Sequence, residues 1–152
     1  GTLFRATAIE TEPAVRYDHL LPEVVLDSDG AESIRLLGYD LSPWSPNPGD
    51  EITVSLYWQP VQPLAMDYTS YVHLIDPTGA GMSQNDHRPG GDFYPSHLWS
   101  VGERLRDQHT LTIPSTAPPG EYRLRAGLYY QLPSGEIRGM GPGEEIGRLI
   151  IQ

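Results

Sequence analysis

Between Gln84 and Trp99 the chain reads QNDHRPGGDFYPSHLW, with two His, two Asp, two Pro, two Gly and three aromatic residues in one stretch. These residue types can do chemistry. Asp86, His87, Asp92 and His97 offer oxygen and nitrogen atoms that bind a cation or hydrogen-bond sugar hydroxyls. Phe93, Tyr94 and Trp99 offer flat apolar faces, and a pyranose has one apolar face and a hydroxyl rim. Two carboxylates can also act as acid and base in glycoside cleavage if they stand about 5–9.5 Å apart, a distance that sequence does not fix. The competing reading is structural: Phe93, Tyr94, Leu98 and Trp99 fold inward and staple a long loop to its domain. Stapling is the preferred reading. Asp86, His87, Asp92, Tyr94, His97 and Trp99 are the candidate ligand groups, with no catalytic residue assigned.

Other chemistry is thin. The chain has no G-x-S-x-G, H-E-x-x-H, Walker-type or dinucleotide-binding pattern. Cys and Lys are both absent, which removes thiol, Schiff-base and Lys-base mechanisms. DSDGAE at Asp27–Glu32 resembles a calcium loop, but Gly30 comes too early in it, so it reads as an Asp-Gly turn. His73 and His109 sit inside predicted strands and read as core residues with satisfied ring nitrogens. Asp107 and His109, two apart on one strand face, form a conceivable base and orienter with no Ser or Cys marked out beside them. No metal site and no cofactor are expected.

The elements that must position these groups are strands. In EITVSLYWQ, Ile52, Val54, Leu56 and Trp58 share one face; in GEYRLRAGLYY, Tyr122, Leu124, Ala126, Leu128 and Tyr130 do. In RLRDQHTLTI, Leu105, Leu111 and Ile113 share a face with Asp107 and His109. SIRLLGYDLS and YTSYVHLID are apolar on both faces and read as central strands, and GRLIIQ as a last strand. The 16 Gly and 15 Pro fall between these runs, which is the punctuation of an all-β chain. The pattern predicts an immunoglobulin-like or jelly-roll-like antiparallel β-sandwich of roughly seven to nine strands. An N-terminal arm is expected over residues 1–22 and one sandwich domain over 23–152. At this length about 68–70% of the unfolded surface can be buried, so the core needs no disulfide. Tyr122, just after the turn PPG, predicts a tyrosine corner. The chain opens at Gly1 within ordinary sequence, as a piece of something longer would.

The formal charge is −10 and all ten basic residues are Arg. An acidic surface repels phosphate backbones, so no nucleic-acid partner is expected. No apolar run is long enough to span a bilayer.

The ordered blocks IRLLGYDLS, PGDEITVSLYWQP, DYTSYVHLIDPTG, GGDFYPSHLWSVGE, RDQHTLTIP and PPGEYRLRAGLYY, over about Ser33 to Tyr130, resemble a β-sandwich domain of Chloroflexota-type bacteria. There it follows the membrane-spanning part of large glycosyltransferases similar to dolichyl-phosphate-mannose–protein mannosyltransferases. The first thirty and last twenty residues match loosely. The resemblance implies a non-catalytic, extracytoplasmic accessory module that presents glycan or acceptor protein as its partner. It brings no catalytic or ligand residue with it. The alternatives are a self-sufficient carbohydrate-binding module, with coplanar exposed aromatics among Tyr94, Trp99, Trp44 and Tyr57, and a structural spacer or dimerisation domain.

Overall fold

Alternating apolar residues leave a strand two unlike faces, and two sheets bury their apolar faces against each other. The computed structural model describes residues 19–28, 32–91, 93–140 and 143–152. Among the described residues nine strands follow in order: β1 (His19–Ser28), β2 (Glu32–Ser42), β3 (Glu51–Pro60), β4 (Thr69–Ile75), β5 (Gly81–His87), β6 (Leu105–Thr112), β7 (Gly120–Gln131), β8 (Ile137–Gly139) and β9 (Glu144–Ile151). One antiparallel sheet has the order β1-β2-β3-β6. The other has β5-β4-β7, with β8 and β9 pairing successive parts of β7. The architecture is an antiparallel β-sandwich. The first strand starts at His19, inside the segment read as an arm, and contains the Val24–Leu26 run.

The alternation read from sequence becomes the core. Ile52, Val54, Leu56 and Trp58 of β3 face Val72 and Leu74 of β4 and Leu124, Ala126 and Leu128 of β7, all fully or nearly fully buried. Each such Leu or Ile contributes about 1.5–3 kcal/mol by leaving water. The β6 pattern alternates strictly, with Leu105, Asp107, His109 and Leu111 inside. Two of the inward β6 residues are therefore polar, and they need partners.

Two strands lie where sequence pattern is silent. The β5 segment GMSQNDH has no fully buried residue, and all three residues of β8 are exposed. An edge strand has only one neighbour, so polar residues are tolerated on both faces. Gln84–His87 thus belongs to β5, and the loop proper starts at Arg88. Gly90 and Gly91 there adopt φ of 82° and 73°, a region L side chains disfavour. No helix among the described residues is long and apolar enough to cross a membrane.

Tyr122 is fully buried and its hydroxyl donates to the Pro118 carbonyl at 2.8 Å. The bond closes the turn that feeds β7, as in a tyrosine corner. Tyr122→Phe should lower the unfolding free energy by about 1 kcal/mol, the net value of one hydrogen bond. Chemical denaturation measures it, and an unchanged midpoint would argue against the corner.

Candidate functional site

The loop after β5 is held down mainly by polar bonds. Trp99 is buried and its indole N–H donates to the Tyr94 carbonyl at 3.0 Å. The half-buried Tyr94 donates its hydroxyl to Glu103 at 2.6 Å. Ser96 Oγ donates to the Met66 carbonyl at 2.7 Å and accepts from the Tyr68 N–H at 2.9 Å. His97 bonds Asp67 through both its backbone N–H, at 3.0 Å, and Nδ1, at 2.7 Å. Phe93 and Leu98 differ from the stapling expectation: both point to water, Phe93 being 97% exposed. The 3-10 turn Ser96–Leu98 turns Ser96 inward and Leu98 outward.

The candidate ligand groups therefore scatter. Trp99 is inside, Tyr94 is engaged with Glu103, and His97 stands over Asp67. Asp92 lies outside the described residues. Asp86 and His87 are neighbours on β5 and point to opposite faces of their sheet. The coplanar set weighed among Tyr94, Trp99, Trp44 and Tyr57 does not form: Trp99 and Tyr57 are buried, while Trp44 is exposed on its own loop.

Asp86 joins a group on the outer face of the second sheet. Tyr71 and His73 of β4 and Tyr129 of β7 alternate outward there. The Tyr71 and Tyr129 rings are 25° from parallel with centroids 6.2 Å apart; Tyr71 and His73 are 4.6 Å apart at 36°. Gly127, opposite Tyr71 in the β4–β7 register, makes this possible. A Cβ at Gly127, or at Gly143 beyond it, would overlap the Tyr71 side chain. The ring therefore lies across β7, over the Gly127 backbone, and is part-exposed. Tyr129 donates its hydroxyl to Asp86 at 2.9 Å, and Gln84 donates to the other oxygen of the same carboxylate at 3.3 Å. Arg125 donates to the Gly143 carbonyl at 3.4 Å. Burial lowers the His73 pKa and favours the uncharged ring, while burial raises those of Tyr71 and Tyr129 and keeps the phenols protonated. The result is a neutral, flat row of rings with a polar rim. The sequence pattern hides this group because YTSYVHLID is apolar on both faces, although the Tyr71/His73 alternation is visible in it.

His87 joins a second group, inside the seam where β5 and β6 approach. Asp107 is 2% exposed and receives the Trp58 indole N–H at 2.9 Å, Ser70 Oγ at 2.5 Å and His109 Nε2 at 3.1 Å, all on Oδ2. Its Oδ1 meets His87 Nε2 at 2.6 Å. His109, fully buried, turns Nδ1 to Asn85 Oδ1 at 2.7 Å and Nε2 to Ser70 Oγ at 2.8 Å. Burial opposes ionisation of Asp107, but hydrogen bonds from His109, His87 and Ser70 outweigh it and hold the carboxyl well below the usual carboxylate range. The bond to Asp107 raises the His87 pKa against the opposing pull of burial.

The structure thus supplies the serine that the Asp107/His109 pair lacked in sequence, yet the geometry does not make a nucleophile. Ser70 and Asp107 both address His109 Nε2, whereas a Ser–His–Asp relay uses opposite ring nitrogens. Ser70 is also fully buried, out of reach of a substrate. Ser70, Trp58 and Asn85 carry no local sequence signal, since each comes from a different strand.

The fold has counterparts among solved structures. The C-terminal domain of wzt superposes with a TM-score of 0.58 at 11% identity, over 90% of this chain and 81% of that one. A β-glucuronidase from glycoside hydrolase family 2 superposes with a TM-score of 0.53 at 14% identity, over 75% of this chain and 11% of that one. The chain thus corresponds to a small part of the glucuronidase. No protein-family model matches the chain, and no curated protein sequence matches it significantly.

Removing the Asp107 carboxylate strands several buried polar groups, so Asp107→Ala should cost about 3–5 kcal/mol of stability. The sign with pH follows from the depressed carboxyl. An unfolded Asp titrates near about 3.9 and the folded one lower. As pH falls below about 4 the unfolded chain takes up the proton first, and stability is lost. Acid denaturation of Asp107→Asn should lack that component of the pH slope; a slope equal to wild type would show that the carboxylate is not held ionised.

Proposed function

We propose that this chain is a non-catalytic, extracytoplasmic accessory module of a membrane glycosyltransferase that binds glycan on the outer face of its β5-β4-β7 sheet. The observation that carries the reading is the row of Tyr71, Tyr129 and His73, with Tyr71 seated over Gly127, rimmed by Asp86, Gln84 and Arg125. A sugar ring laid on Tyr71 would bury its apolar face on an aromatic one. Its equatorial hydroxyls would then meet the carboxylate, amide and guanidinium at the rim. Tyr71 is already seated on the Gly127 backbone and Tyr129 is held by its bond to Asp86, so little side-chain entropy is lost on binding.

The setting rests on the family resemblance of the sequence blocks. The likeness to a small part of a glycoside hydrolase family 2 β-glucuronidase is compatible with a module attached to a carbohydrate-active protein. The reading of a non-catalytic module is supported by the sealed Ser70.

A glycan array followed by calorimetry on the best ligand tests this. Tyr71→Ala should weaken binding by about tenfold or more, equivalent to about 1.4 kcal/mol, with Tyr129→Ala close behind. Both side chains face outward, so melting temperatures should hold within a few degrees. Array silence, or affinity indifferent to both variants, would remove the platform.

A further inference from the structure

The seam cluster carries an inference independent of glycan binding. His87, Asp107 and His109 place three ligand-type atoms within 4.8 Å of one another, the one such group among the described residues. We propose that they form a mononuclear site for a zinc-type divalent metal ion, with a fourth position open to the groove at the mouth of the seam.

His109 Nδ1 lies 2.7 Å from Asn85 Oδ1, and its Nε2 faces Asp107 Oδ2 at 3.1 Å and Ser70 Oγ at 2.8 Å. A ring nitrogen and a carboxylate oxygen held together in a dry interior form a pair that a proton or a cation can bridge.

The ligand chemistry and geometry favour the cation. Two imidazoles and one carboxylate suit zinc or a neighbouring first-row metal; calcium and magnesium want all-oxygen shells. A tetrahedral zinc ion holds its ligand atoms about 3.3 Å apart. The closest nitrogen–oxygen pairs here are 2.6 Å for His87 with Asp107 Oδ1 and 3.1 Å for His109 with Asp107 Oδ2, and the three ligand-type atoms lie within 4.8 Å of one another, so the cluster brackets that spacing and must adjust around the ion. The outer partners are those of a metal site as well: an amide oxygen fixes the His109 tautomer, and Trp58 and Ser70 fix the carboxylate.

Access comes from His87. Its side chain is 37% exposed and, with Asp107, Gly90 and Gly91, borders an open groove of about 420 Å³. An ion can enter there, and a water or a ligand oxygen can complete the shell. One feature must change on binding. The His87 and His109 rings are stacked, with centroids 4.0 Å apart and planes 10° from parallel. Two parallel imidazoles cannot both hold one ion in their planes. His87 is the ring free to turn, since it ends β5 and the Arg88–Gly91 turn follows it, whereas His109 is enclosed.

The test is metal titration of the full chain after dialysis against a chelator. Zn2+ is competed against a chromophoric chelator, and Co2+ serves as a spectroscopic probe. The proposal expects one equivalent bound, with a dissociation constant at or below about a micromolar. It also expects the intense visible bands of four-coordinate Co2+ and a melting temperature raised by Zn2+. His87→Ala should weaken binding by at least about tenfold, and Asn85→Ala by about 10–100-fold through loss of the ring orienter. His97→Ala, at an exposed pair, should bind as wild type. Folding of each variant is checked by circular dichroism, and the wild-type titration stands even if a variant fails to fold. Wild-type protein that is folded yet binds less than one equivalent, or binding retained in His87→Ala, would overturn the proposal and leave a network held by protons alone.

Discussion

One carboxylate buried between two sheets sets the terms for this sandwich. Asp107 stands on the inner face of β6, which it shares with Leu105, His109 and Leu111. Sealing a charge there is costly unless every lone pair finds a donor. The donors come from all sides: Trp58 from the adjacent strand, Ser70 from the opposite sheet, His109 two residues along, and His87 from the edge strand β5. Because β5 and β6 belong to different sheets, satisfying Asp107 also closes one side of the sandwich. A second carboxylate does similar work elsewhere, as Glu32 of β2 accepts the Tyr68 hydroxyl at 2.6 Å. The apolar faces supply most of the folding energy without direction, and these bonds supply direction.

Closing the seam has a consequence on the far side of the same sheet. Along β5, Asn85 and His87 are drawn inward, so Gln84 and Asp86 must point outward. The alternation that fills the core network therefore also delivers Asp86 to Tyr129 and sets the rim of the aromatic row. Gly127 is the other half of that arrangement. It leaves β7 bare where Tyr71 needs to lie, in a strand otherwise furnished with Arg123, Arg125 and Tyr129 on that face. The neighbouring surface is stitched by ion pairs among Arg123, Glu145, Arg148 and Glu121, which keeps the aromatic row compact and bounded.

Much of the fold was legible in the order of side chains. β3, β6 and β7 alternate cleanly because each has one buried face, and the Pro-Pro-Gly turn before Tyr122 marks the corner. β5 was not legible, because an edge strand can carry polar residues on both faces. In the loop after it, four apolar residues suggest a staple. Phe93 and Leu98 face water instead, since Ser96 and His97 already tie the turn to Met66 and Asp67. The site was half legible. Asp107 and His109 were visible as a pair on one face, and Asp86 and His87 as candidates. What the sequence could not show was register: which residue of β4 meets β6, and which of β5 turns in. Ser70, Trp58 and Tyr129 became neighbours of Asp107 and Asp86 only through strand pairing and the packing of the two sheets.

On the function proposed above, the outer β5-β4-β7 face, and not the loop after β5, receives the glycan. Chemical-shift mapping of the isotope-labelled chain during a glycan titration separates the two. The largest shifts are expected on the rings of Tyr71, His73 and Tyr129 and on the backbone of Asp86, with Tyr94 and Trp99 silent. Shifts concentrated in Arg88–Trp99, with the Tyr71 ring unmoved, would contradict that function.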